Sequence, residues 1–226
     1  MILSKLLKAS CILLLVMAGH TVKAQGAKPR LLFDDQVRGN KPPDFSALKS
    51  GDFTKINDAY NKTLDAAFQL DQSYDFELRF WQLPLMTSSH QAFVLRYQNK
   101  AWAARRFQAY RITDKGVEFV EKPVNQQKLK RLWQLLQQEK LLSLPNYESI
   151  RPLIVKYQID TTTLETSGSI GLQMDGILYV FELKTPTAKR SYQYGNPERM
   201  QKEYPNIETL CHAVILVRLI DKYMRE

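Results

Sequence analysis

The sequence predicts an α+β fold: a mainly antiparallel sheet with helices packed on one face. Three observations carry that expectation. Several stretches alternate apolar and polar residues with the period of a strand, and helical-period stretches follow groups of strands rather than single ones. The strands are joined by turns too short for parallel crossovers, which need about a dozen residues or more. Strands followed by a helix occur twice in that order, so the chain also reads as two loosely similar strand-then-helix halves, alike in element order and not in residues.

Residues 1–24 read as a cleavable secretory signal peptide. Lys5 and Lys8 precede an apolar run from Cys11 to Gly19, and Val22-Lys23-Ala24 places small or apolar side chains where a signal peptidase reads, with Gln25 as the new terminus. The run is shorter than the roughly 20 residues a membrane-spanning helix needs, and no other stretch approaches that length, so the mature chain is expected to carry no transmembrane helix. Cys11 begins the apolar run instead of ending it, which argues against a lipid-attachment box. Cleavage would remove three lysines and no acid, leaving 29 basic against 23 acidic residues and lowering the net charge from +9 to +6. Such an excess favours encounter with anionic surfaces. The chain has no concentrated basic stripe of the kind that binds nucleic acid. Only Cys211 would survive cleavage, which excludes an intramolecular disulfide.

Residues 25–51 are expected as an irregular arm, broken by Pro29, Gly39, Pro42 and Pro43, with Leu31-Leu32-Phe33 as its apolar cluster. A single α+β domain follows over 52–226. Asp52 caps a helix to about Phe68, with Ile56, Ala59 or Tyr60, Thr63 or Leu64, and Ala67 at helical spacing. Phe76, Leu78 and Phe80 alternate with Glu77, Arg79 and Trp81 in the manner of a half-buried strand. Strands over 92–97 and 101–112 flank the turn Gln98-Asn99-Lys100, and 117–120 forms a fourth after Asp114-Lys115-Gly116. Asn125 should cap a helix burying Leu129, Leu132, Trp133 and Leu136. Alternation resumes over 153–159, and Asp175-Gly176 predicts a type I′ hairpin between 170–174 and 177–183. Arg190 to Tyr194 is another strand, Asn196-Pro197 opens a short helix, and Ile207, Leu210, Cys211, Val214, Val217 and Ile220 define a last helix as the spine of the core.

Catalytic patterns are weak. Cys211 and His212 are adjacent on a helix and so point about 100° apart, which does not suit a nucleophile and its base. His90 follows Thr87, Ser88 and Ser89, but no Gly-x-Ser-x-Gly elbow is present. Two mature histidines and one cysteine make no zinc set by themselves, and no cofactor is expected. Asp34-Asp35 reads as solvated arm charge, and Gly168-Ser169-Ile170-Gly171 as a turn.

Two groups are candidates for ligand binding. Arg79, Arg96 and Arg105 or Arg106 lie on consecutive strands; if the aromatics face the core, they share the opposite face as guanidinium forks for carboxylate or phosphate. The other reading is a solvated sheet face balanced by Glu77 and Glu118. Arg190, Tyr192 and Tyr194 alternate onto one side of a strand, either as binding anchors or packed beneath the following helix. The order Asp-Gly, aromatic strand, Arg190-x-Tyr192-x-Tyr194-x-Asn196-Pro197 and final apolar helix resembles that of exported bacterial α+β proteins of unknown function, over roughly the last 60 residues. The resemblance implies compartment and fold, and no activity.

The leading expectation is a non-enzymatic secreted or periplasmic binding module whose partner is an envelope protein or anionic glycan. The alternatives are a secreted hydrolase using His90 and an inhibitor or neutraliser of a partner enzyme.

Overall fold

The alternating stretches fold into strands and the helical-period stretches into helices, in the order α1 (Asp58–Phe68), β1 (Phe76–Pro84), β2 (Gln91–Gln98), β3 (Ala101–Thr113), β4 (Gly116–Lys122), α2 (Leu129–Gln138), α3 (Tyr147–Ile154), β5 (Lys156–Ile159), β6 (Thr166–Ser169), β7 (Ile177–Lys184), β8 (Lys189–Gly195), α4 (Pro197–Glu203) and α5 (Glu208–Arg225). The structure is a computed structural model that describes residues 42–51, 58–70, 73–113, 116–159, 166–169 and 176–225. Pro42–Glu226 forms one unit. The expected leader, its Ala24–Gln25 junction and Leu31-Leu32-Phe33 lie outside the described residues.

Six strands form one sheet in the order β4-β3-β2-β1-β7-β8, while β5 and β6 pair as a separate two-stranded ribbon. Every neighbouring pair is antiparallel, as the short turns require. Gln98 pairs with Ala101, so Asn99 and Lys100 are the two loop residues, both left-handed at φ 52° and 62°, the backbone of a type I′ turn. Residues 170–175 lie outside the described residues. Both edges of β7 are occupied by β1 and β8, however, so the hairpin expected with 170–174 is replaced by these two ladders.

Alternation along the central strands sorts side chains into two cores. Phe76, Leu78 and Phe80 of β1, with Phe93, Leu95, Phe181 and Leu183, face the buried sides of α2 and α5. Leu129, Leu132, Trp133 and Leu136 of α2 are buried as their spacing predicts, and α5 buries Leu210, Ala213, Leu216, Val217 and Ile220. Phe45 stacks on Phe76 at 4.7 Å between ring centroids and Leu48 is buried, so the last part of the expected arm packs with the body. Trp81, Leu83, Val94, Phe107, Phe119 and Val180 point the other way and meet Leu64 of α1. One helix therefore covers the face that period-two alternation had left open, and β1 is a central strand buried on both sides.

Local capping departs from expectation in two places. Asn125 Oδ1 accepts from the Gln127 amide and closes a turn, and α2 starts only after Lys128, left-handed at φ 63°. The helix ends with Lys140 at φ 60°, its amide bonded to the Gln137 carbonyl and the Leu141 amide to the Leu136 carbonyl, the paired bonds of a Schellman end. Residues 147–154 form α3, so the strand expected over 153–159 begins only at Lys156. Asn146 Oδ1 accepts from the Tyr147 amide, and this cap outweighs Pro152 inside the helix.

Candidate functional site

The arginines on the strands share a face as expected, except Arg106, which lies on the other. Arg79, Arg96 and Arg105 sit under and beside α1. Arg79 is only 2% exposed and donates to Glu77 Oε1 at 2.7 Å, Asn61 Oδ1 at 2.9 Å and Asp65 Oδ1 at 2.6 Å. Arg96 Nε donates to Glu77 Oε2 at 2.6 Å, and its NH2 donates to the Leu70 carbonyl. Arg105 holds Glu121 through Nε and NH2 and the Phe68 carbonyl through NH1, at 3.0 Å. Carbonyls at the end of a helix lack intrahelical partners, so these two cations cap α1 where its dipole is negative.

The same device recurs across the molecule. Arg106 NH1 donates to the Met224 carbonyl near the end of α5. Arg190 donates to the Leu142 and Leu144 carbonyls just beyond α2, at 3.0 and 2.5 Å. Tyr192 donates to the Leu141 carbonyl at 2.8 Å and Tyr194 to that of Pro145, while Tyr204 reaches the Ile154 carbonyl at the end of α3. Burial pushes the Tyr192 and Tyr194 phenols well above their ordinary range, which keeps them protonated as donors. Asn196 is left-handed, and its side chain does not cap α4; Oδ1 accepts from the Ile177 amide instead. Gly176, at φ 136°, leaves room for that side chain, since any Cβ there would run into it. All seven arginines and tyrosines singled out by spacing thus direct donors at the chain's own carbonyls and polar side chains.

Beneath α1 lies a charge cluster that sequence reasoning took for a solvated face. Glu77 and Glu182 are fully buried, Arg79 nearly so, and Lys184 Nζ stands 3.7 Å from Glu77 and 3.9 Å from Glu182. With Asp65 and Arg96 the cluster holds three carboxylates and three cations, a formal balance that low-dielectric burial demands. Burial pushes Glu77 upward, but Arg79 and Arg96 outweigh it and hold its carboxyl below the usual range. Both Glu182 carboxylate oxygens accept from Asn61 Nδ2, at 3.0 and 2.8 Å, yet burial dominates and the Glu182 pKa is raised. Burial likewise lowers Lys184. The missed signal was Asn61 and Asp65, four apart on α1 and so on one helical face beside Leu64.

The other candidates separate. Cys211 Sγ lies 3.9 Å from the Pro205 carbonyl, whereas His212 turns to Glu139 at 2.7 Å and Glu208 at 3.1 Å, so thiol and imidazole diverge. The His90 ring packs against Tyr60 at 5.4 Å, its Nδ1 is buried with no hydrogen bond, and burial lowers its pKa. Thr87 and Ser89 hydroxyls bond each other at 2.8 Å. Among the described residues no group of three or more His, Cys, Asp or Glu could hold a metal, and no helix is long and apolar enough to cross a membrane.

Among the clefts on the described surface, two border arginines singled out above. One, of about 400 Å³, is bordered by Phe68, Leu70, Gln98, Arg96 and Arg105, whose charges are matched by Glu77 and Glu121. The other, of about 410 Å³, lies between 49–51, the start of α3 and β8, and among the described residues its lining includes Lys49, Asn146, Ser149 and Arg190 but no carboxylate. Comparison with protein-family models, curated proteins and solved structures returns no match, so the functional reading rests on these side chains.

Proposed function

We propose that the chain is a non-enzymatic binding module that acts outside the cytoplasm, in the periplasm or the medium, and engages an anionic partner of the cell envelope. The observation that carries this reading is the second cleft, where Lys49 and Arg190 stand without a carboxylate among the described lining residues. The basic balance of the chain works in the same direction, drawing anionic partners through long-range attraction. Export is supported by the leader-like first 24 residues. The buried, unbonded Nδ1 of His90 favours binding over hydrolysis, because a general base needs an orienting partner and access to the proton it takes.

The test is retention of envelope components and of an acidic polysaccharide, polygalacturonate, by the immobilised protein at low salt and at roughly 0.5 M salt, where screening acts within a few ångströms. Salt-sensitive retention is expected. Equal failure to retain both materials at low salt would sink the reading.

A further inference from the structure

We infer that the cleft between 49–51, the α3 N-terminus and β8 is an oxyanion site whose ligand is a phosphate group. The inference rests on the anionic-partner reading and goes further by naming the chemistry and the residues.

The case begins with charge. Arg190 directs its terminal nitrogens at the Leu142 and Leu144 carbonyls, and neither it nor Lys49 forms an ion pair with a carboxylate among the described residues. In the other cleft both guanidinium groups are neutralised, Arg96 by Glu77 and Arg105 by Glu121. Glu148, which precedes Ser149 of the lining, is turned to Arg151 at 3.3 Å. Two cations on one concave surface raise the local concentration of anions there.

Donor geometry then selects the anion. A carboxylate is planar and is best matched by the open fork of an arginine, but both terminal nitrogens of Arg190 are already held by carbonyls. What the cleft offers is a compact ammonium on Lys49 and separate hydroxyls on Ser50, Ser143 and Ser149. Donors scattered around a concavity suit a tetrahedral group whose oxygens point in several directions. The first turn of α3, capped at Asn146, adds its positive dipole end from one side. The frame is fixed before any ligand arrives: Leu48 is buried, the Gly51 amide bonds the Lys189 carbonyl at 3.2 Å, and the Arg190 guanidinium lies over the Tyr192 ring.

The experiment is an NMR titration of the purified full chain with inorganic phosphate, following backbone amides, with acetate at matched ionic strength as the carboxylate comparison. Saturable shifts are expected at residues 49–51, 149 and 191, at least tenfold weaker in affinity in Lys49→Ala and unchanged in Arg105→Ala. Glucose 6-phosphate and phosphatidic acid vesicles, run as separate arms, tell whether the phosphate is presented on a soluble molecule or a lipid. The inference is overturned if phosphate gives no saturable shift at these amides, if Lys49→Ala binds as well as the wild type, or if acetate saturates the same amides as tightly. Phosphate failing while the polysaccharide is still retained would overturn this site and leave the broader binding reading standing.

Discussion

Replacing Arg79 by methionine tests the charge cluster under α1 most directly. Methionine keeps much of the stem volume but removes three charge-assisted donors, to Glu77, Asn61 and Asp65. The cost comes chiefly from what is left behind. Glu77 has no solvent exposure and loses one of its two arginines, and the cluster goes from balance to one excess negative charge. Asp65 is one-third exposed at its side chain and can turn to water, which moderates the loss. Breaking a buried ion pair by removing one partner costs about 3–5 kcal/mol, and with Arg96 still on Glu77 the lower end, about 3 kcal/mol, is expected. The assay is urea unfolding at neutral pH, read by circular dichroism and by fluorescence of Trp81, which packs against Tyr60 of α1 at 5.8 Å. Adding Glu77→Gln restores the balance, so the double variant should lose less than the two single losses combined, by at least about 1 kcal/mol. A loss below about 1 kcal/mol for Arg79→Met, or simple additivity in the double variant, would show that the cluster is solvated and the reasoning wrong.

Two further expectations concern stability. Glu182 has a folded pKa raised by burial, so its contribution is fully present below the unfolded carboxylate pKa of about 4.3 and is lost as pH rises through the folded value. Glu182→Gln should therefore gain on the wild type as pH is raised through that window, and parallel melting curves across pH 4 to 8 would contradict the assignment. Tyr192→Phe removes the buried donor to the Leu141 carbonyl and should cost about 1–2 kcal/mol in chemical unfolding; no change would mean that the carbonyl finds another partner.

Helices and strands were legible where the deciding pattern was local. Leu129, Leu132, Trp133 and Leu136 recur at helical spacing, and burying that stripe requires only some apolar surface opposite. Asn99 and Lys100 make a two-residue turn because flanking alternation brings Gln98 opposite Ala101. Asn125 misled because its side chain closes a turn as readily as it caps a helix. The strand expected over 153–159 begins only at Lys156, since Asn146 nucleates a first turn that the apolar alternation does not reveal and the helix runs to Ile154. Of the candidate site, the residue types were visible and their orientation was not.

Sequence alone determined which residues alternate and which recur every three or four positions, and hence an antiparallel sheet, helices and the common face of Arg79, Arg96 and Arg105. Only the tertiary structure decided what that face meets. α1, which precedes β1 in the chain, folds over it and converts a polar strand face into a buried, balanced charge cluster, with Arg96 and Arg105 closing the helix end. Strand periodicity specifies the side on which a guanidinium lies, while its partner is a carbonyl or carboxylate brought there by a different element. For Arg190 that partner is the turn after α2, and Lys49 joins it at the cleft from another part of the chain.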